Sequence, residues 1–172
     1  MSNWRISSFS GVLLAAYFIP NWADIAYTIM MTPVRGLYER PSVSVALFAS
    51  DHLQVASMTT VRFAWLLALG RLTVVAFFVL FLVLTALSFI RKQASGGEAL
   101  AIALGIGSVI SFASMIMASQ VGEAEALRLH ATELLMMLGT GIVMLFDRPA
   151  TPKAVEAPSD LALEQAELSY NS

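Results

Sequence analysis

Two ionisable side chains with a spacing suited to chemistry lie near the start of the last apolar stretch of the chain. His130 and Glu133 are three residues apart, and on a helix this spacing places both side chains on one face. An imidazole and a carboxylate placed in this way can share a proton or contribute two ligands to a divalent metal ion such as zinc. His52 is the third candidate ligand. The simpler interpretation is that these interfacial polar groups are satisfied by water and by one another.

Three charged residues lie within or beside apolar segments, and we predict that they are intramembrane polar residues: Asp24, Arg71 and Glu133. A charge in hydrocarbon is costly without a partner or a cavity, and Glu133 lies well inside an apolar stretch. Arg71 is a candidate ion-pair partner for Glu133 or Asp24. A purely structural pair, or an arginine that extends to the interface, is the simpler interpretation.

Several other kinds of chemistry are excluded or disfavoured by composition. The chain has no cysteine, which excludes disulfides, thiolate nucleophiles and cysteine-ligated metal centres. It also has no glycine-rich phosphate loop and no GxSxG motif. The net charge of −2, without a basic stripe, argues against a nucleic-acid partner. We therefore expect no catalytic residue and no cofactor, and a haem held by both histidines would require His52 to fold back towards the bundle.

The elements that must position these residues are membrane-spanning helices. The sequence is 58% hydrophobic and 13% charged, with a mean hydropathy of +0.74, whereas soluble domains carry about a quarter charged residues. Long apolar stretches cover 66–90, 99–118 and 127–146, and about 20 residues of helix cross a bilayer core of ~30 Å. We predict an all-α integral membrane bundle of four transmembrane helices in residues 1–149.

The first of the four predicted spans, 11–31, is the least regular because it contains Pro20, Asn21 and Asp24. A spanning helix kinked at the proline, a cleaved signal peptide and a helix lying in the interface all fit this pattern. We favour a retained spanning helix.

Two segments differ from the spans. The connector 32–69 contains helix breakers followed by an apolar run, which predicts a partly helical, interfacial or protruding segment before span two. From about Ser42 onward, the lack of glycine and proline also permits one helix continuous with that span. Residues 150–172 are rich in acids and contain prolines, as is typical of a disordered acidic tail.

Orientation is poorly determined by charge, because a four-span topology leaves five Lys and Arg residues on each side. We expect the bacterial inner membrane, with both termini cytoplasmic, since the acidic tail then need not be translocated. Two crossings separate His52 from His130, so both lie on the same side in either orientation.

Small residues form a stripe on the third span and a shorter groove on the fourth, which would let helices approach closely: Ala103, Gly107, Ser111, Ser114 and Gly139. Packing within the bundle explains this pattern, and homo-oligomerisation is the alternative.

The sequence favours a non-catalytic accessory or interaction subunit in the lipid bilayer, associated with itself or with another membrane protein. A proton- or ion-coupled transporter and a metal- or haem-dependent redox protein are the alternatives.

Overall fold

The computed structural model describes residues 6–51, 57–91 and 96–147. Every regular element within these ranges is a helix: α1 Ile6–Met31, α2 Pro33–Leu37, α3 Val43–Asp51, α4 Ser57–Arg91, α5 Gly97–Val121 and α6 Ala124–Phe146. The predicted all-α fold is therefore confirmed. The tail predicted for 150–172 lies outside the described residues.

Four of the helices, α1, α4, α5 and α6, are long and apolar enough to cross a membrane. Each begins before the stretch predicted from the sequence, and α4 and α5 also continue beyond its end, whereas α1 and α6 end at the predicted residues 31 and 146. With 35 residues, α4 is ~52 Å long at ~1.5 Å per residue. It therefore exceeds the ~30 Å hydrocarbon core of a bilayer.

The four spans close into a ring in which α1 packs on α4, α4 on α5, α5 on α6, and α6 again on α1. The turn between α5 and α6 is short because Gly122 adopts a left-handed conformation, with φ of 80°, and its N–H bonds to the carbonyl of Ala118. Glycine is the usual residue at this helix-ending position. The helices α5 and α6 are consequently antiparallel, as the short loop between them predicts.

The first helix is an integral part of this bundle and does not lie along its surface. Phe18 stacks on Phe78 of α4 with ring centroids 5.9 Å apart, and it meets Trp22 edge-on at 5.1 Å. All three side chains are buried. The core thus depends on α1, although Pro20 and Asp24 make it the least apolar of the predicted spans.

The small-residue stripe of α5 faces the interior, where Ala103, Ser111 and Ser114 are buried. A Cβ atom on Gly107 would lie 2.7 Å from the Met137 sulfur. The stripe therefore lets α4 and α6 approach α5 closely.

Gly139 differs from the rest of the predicted packing set. It lies on the exposed side of α6, and a Cβ atom built on it meets no atom within 4 Å.

The connector folds onto the bundle instead of protruding, because its apolar residues are buried. Leu37, Val45 and Ala46 belong to the core cluster, α2 packs on α1 and α4, and α3 packs on α5. A Cβ atom on Gly36 would lie 2.8 Å from the Ile29 Cα. Only glycine allows α2 this close to the backbone of α1.

We expect Gly36→Ala to destabilise the protein by about 1–3 kcal/mol, because the added methyl group would press on backbone that cannot rotate away. Thermal or denaturant unfolding in detergent measures the change. The matched control is Gly105→Ala on α5, where a Cβ atom meets nothing within 4 Å and the higher helix propensity of alanine makes the change neutral or slightly stabilising. Equal stability of the two variants would contradict the close approach of α2.

Candidate functional site

Each of the four spans contributes at least one polar side chain to a single buried region of the bundle. These side chains are Trp22 of α1, Arg71 of α4, Ser111 of α5 and Glu133 of α6, and none is more than 2% exposed. His130, one turn before Glu133, is also buried. We call these five residues the polar layer.

Glu133 is the acceptor at the centre of the polar layer. Its Oε1 accepts a hydrogen bond from the Trp22 indole N–H at 3.0 Å. Its Oε2 accepts from the Ser111 hydroxyl at 3.3 Å and from His130 Nδ1 at 3.0 Å, since an ionised carboxylate can only accept. Hydrogen bonds to a charged group are stronger than those between neutral groups. Three donors on three different helices thus stabilise an acid inside an apolar bundle.

Arg71 belongs to the same layer but reaches the carboxylate only indirectly. Its Cζ lies 5.8 Å from the centroid of the Trp22 ring, within the range of a cation–π contact. Among the described residues, no N···O distance within 4 Å joins Arg71 to Glu133. Trp22 therefore connects the two charges, because its ring contacts the guanidinium and its N–H binds Glu133. Arg71 and Glu133 lie in one buried layer without the direct ion pair that the sequence suggested as a possibility for Arg71 with Glu133 or Asp24.

The remaining contacts of Arg71 tie the connector to the bundle. Its Nη1 donates to the Ser42 hydroxyl at 3.2 Å and its Nη2 to the Pro41 carbonyl at 3.4 Å. Ser42 is fully buried. The segment that precedes α3 is thus held against the polar layer by a charged side chain from α4.

Three buried polar atoms at this site have no hydrogen-bond partner among the described residues. They are Arg71 Nε, His130 Nε2 and the hydroxyl oxygen of Ser44. Buried polar groups in folded proteins are nearly always paired with protein, water or a ligand. These atoms therefore mark positions where the site is able to accept a further group.

The polar layer lies nearer the connector end of the bundle than the opposite end. Glu133 is nine residues after Ala124, the first residue of α6, which corresponds to ~13 Å along a helix. At the opposite end, the Ser7 backbone N–H and hydroxyl both donate to the Asp147 carboxylate. The beginning of α1 and the end of α6 are thus on one side, and the connector covers the other.

The candidate metal ligands are only partly brought together. His130 and Glu133 are in contact, whereas His52 lies outside the described residues. Within 6–51, 57–91 and 96–147, no group of three His, Cys, Asp or Glu side chains is placed to hold a metal ion. Asp24 is exposed on α1 and makes no contribution to the polar layer.

Trp22, Ser42 and Ser44 are not among the site residues predicted from the sequence. A signal for Trp22 existed, because an indole N–H inside an apolar helix needs an acceptor. Ser42 follows a proline and precedes an apolar run, a pattern typical of a helix start. Neither pattern identifies the hydrogen-bond partner. Glu133 lies 111 residues from Trp22, and Arg71 lies 29 residues from Ser42.

No protein-family model matches the chain, and no curated protein or solved structure is significantly similar to it.

Proposed function

We propose that this protein is a non-catalytic interaction subunit that binds a transmembrane helix of another membrane protein through the outer face of α6. The arrangement of polar groups supports this role, because the charged side chains of the polar layer point inward and hold the helices together. Glu133 accepts three hydrogen bonds, all from donors in its own bundle. Because these polar groups are occupied inside the bundle, a partner would contact the lipid-facing surface of the spans.

The observation that carries the proposal is a notch in the apolar outer face of α6. Leu135, Leu138 and Ile142 are exposed there, and Gly139 lies between them with open space beyond its Cα. Large apolar side chains facing lipid are expected of any span. A glycine among them lets the backbone of a second helix approach closely, which is a recurrent basis of helix association in membranes.

The proposed setting is the bacterial inner membrane with both termini in the cytoplasm. The contact between Ser7 and Asp147 supports termini on one side. This orientation leaves the acidic segment 150–172 untranslocated and places the connector with α2 and α3 on the outer side.

We expect Gly139→Leu to weaken association with the partner at least tenfold, because the leucine fills the notch while pointing away from the bundle. Crosslinking in native membranes followed by purification in mild detergent measures the complex. Gly105→Leu on α5 is the matched control, since that glycine also faces open space but lies on a different helix.

A purified chain that is monomeric and free of any partner in mild detergent contradicts the proposal. So does equal association of the Gly139 and Gly105 variants. If the crosslinked species is a dimer of this chain that Gly139→Leu abolishes, the second helix is α6 of another copy.

A second candidate function, proton- or ion-coupled transport, is favoured by one observation. His130 contacts Glu133 through Nδ1, while its buried Nε2 has no partner among the described residues. An imidazole with one nitrogen on a carboxylate and the other free is able to pass a proton between two positions. Transport through this site would require the connector, or a neighbouring copy, to open a path to water.

We expect Glu133→Gln to destabilise the bundle by about 1–3 kcal/mol, because one neutral amide oxygen replaces two charged carboxylate oxygens that accept the hydrogen bonds of the polar layer. Unfolding in detergent measures this loss. The same variant tests transport in proteoliposomes that contain a pH-sensitive dye. Flux by the wild type that is lost in folded Glu133→Gln supports the second candidate, whereas no flux, or unchanged flux, removes it.

A further inference from the structure

We propose a buried binding site for a small inorganic anion, such as chloride or nitrate, at the amino end of α3. Its ligands are the guanidinium of Arg71, the hydroxyl of Ser44 and the backbone N–H groups of the first turn of α3. The site is separate from the outer face of α6 and does not depend on the proposed interaction function.

The guanidinium of Arg71 is held at the start of α3. The two groups that accept its Nη1 and Nη2 hydrogen bonds, the Ser42 hydroxyl and the Pro41 carbonyl, immediately precede Val43, the first residue of that helix. The amino end of a helix carries about half a positive charge. The positive end of the helix repels the guanidinium. An anion bound between them would be attracted to both the helix end and the guanidinium.

Several donors near this helix end have no acceptor among the described residues. The Ser42 carbonyl accepts hydrogen bonds from the N–H groups of Val45 and Ala46 at 3.0 and 3.2 Å. The N–H groups of Val43 and Ser44 have no acceptor within the helix, because they belong to its first turn. The Ser44 hydroxyl and Arg71 Nε are buried and unpartnered among the described residues. Because the Nε–H of arginine can only donate, a group that binds here must be an acceptor.

Charge indicates an anion in preference to a water molecule. Glu133, the acid of the polar layer, receives its hydrogen bonds from other donors and forms no ion pair with Arg71 within 4 Å in the described part of the chain. The acceptors that Arg71 does reach are neutral. A cation removed from water without a contacting counter-ion is costly. Glu133 acts on the guanidinium through space and not by contact. Water would satisfy the Nε–H, whereas an anion would also place a counter-ion in direct contact with the guanidinium.

Burial limits the size and the source of this anion. Ser42 and Ser44 are 0% exposed and Arg71 is 1% exposed. A lipid phosphate on the outside of the bundle therefore cannot reach the guanidinium while the connector is in place. A small free anion that enters when the connector moves fits these constraints.

The test uses the full-length protein in nanodiscs, equilibrated in sodium gluconate, whose anion is too large for the site. Chloride or nitrate is titrated at constant ionic strength, and thermal unfolding is followed. We expect a saturable rise of Tm in the wild type. In Ser44→Ala, the apparent affinity should fall about tenfold, because a hydrogen bond to a charged group is lost.

Arg71→Gln should abolish the response, and Arg62→Gln is its matched control, because Arg62 is exposed on the same helix and its loss changes net charge equally. A Tm that responds equally to gluconate and chloride overturns the proposal, as does unchanged affinity in Ser44→Ala.

A second readout does not depend on whether Arg71→Gln folds. In a variant with Trp4 and Trp65 replaced by phenylalanine, the fluorescence of Trp22 reports on its surroundings, because its ring contacts Arg71. Bromide quenches indole fluorescence on close approach. We expect saturable quenching by bromide that Ser44→Ala weakens; quenching that rises linearly and is the same in both proteins would overturn the site.

Discussion

The rest of this structure depends on one requirement: a carboxylate inside an apolar helical bundle must be surrounded by donors. Glu133 meets it with hydrogen bonds from α1, α5 and its own helix. An acid without such partners in hydrocarbon would cost several kcal/mol. The positions and rotations of these helices are therefore coupled, because turning any one of them by part of a turn would withdraw a donor that lipid cannot replace.

The same requirement explains why the least apolar span is needed. Trp22 supplies an apolar ring to the core, where it meets Phe18, and a polar N–H to Glu133. Its ring also contacts the guanidinium of Arg71. One side chain thus joins the aromatic core to the polar layer. The bundle therefore needs α1, although the composition of α1 alone does not identify it as a required span.

The fold was predictable because the hydrocarbon thickness and the helical rise set the length and number of the spans, and the spacing of Ala103, Gly107 and Ser111 indicated a packing face. The site was only partly predictable. The burial cost of Glu133 and Arg71 identified them as residues that need partners, yet Trp22, Ser42 and Ser44 are ordinary residues until the chain folds. The sequence predicted an interfacial or protruding connector, because its helix breakers gave no sign that Leu37 and Val45 pack on the bundle.

The length of α4 has a mechanical consequence. A Cβ atom on Gly96, just before α5, would lie 3.0 Å from Leu84 Cβ, so the last turns of α4, which ends at Arg91, continue past the start of α5. The helix is longer than the ~30 Å hydrocarbon core, and Arg71 lies along its length. A tilt of α4 would therefore shift the guanidinium relative to Ser42 and Pro41, so the tilt of this helix and the position of the connector are coupled.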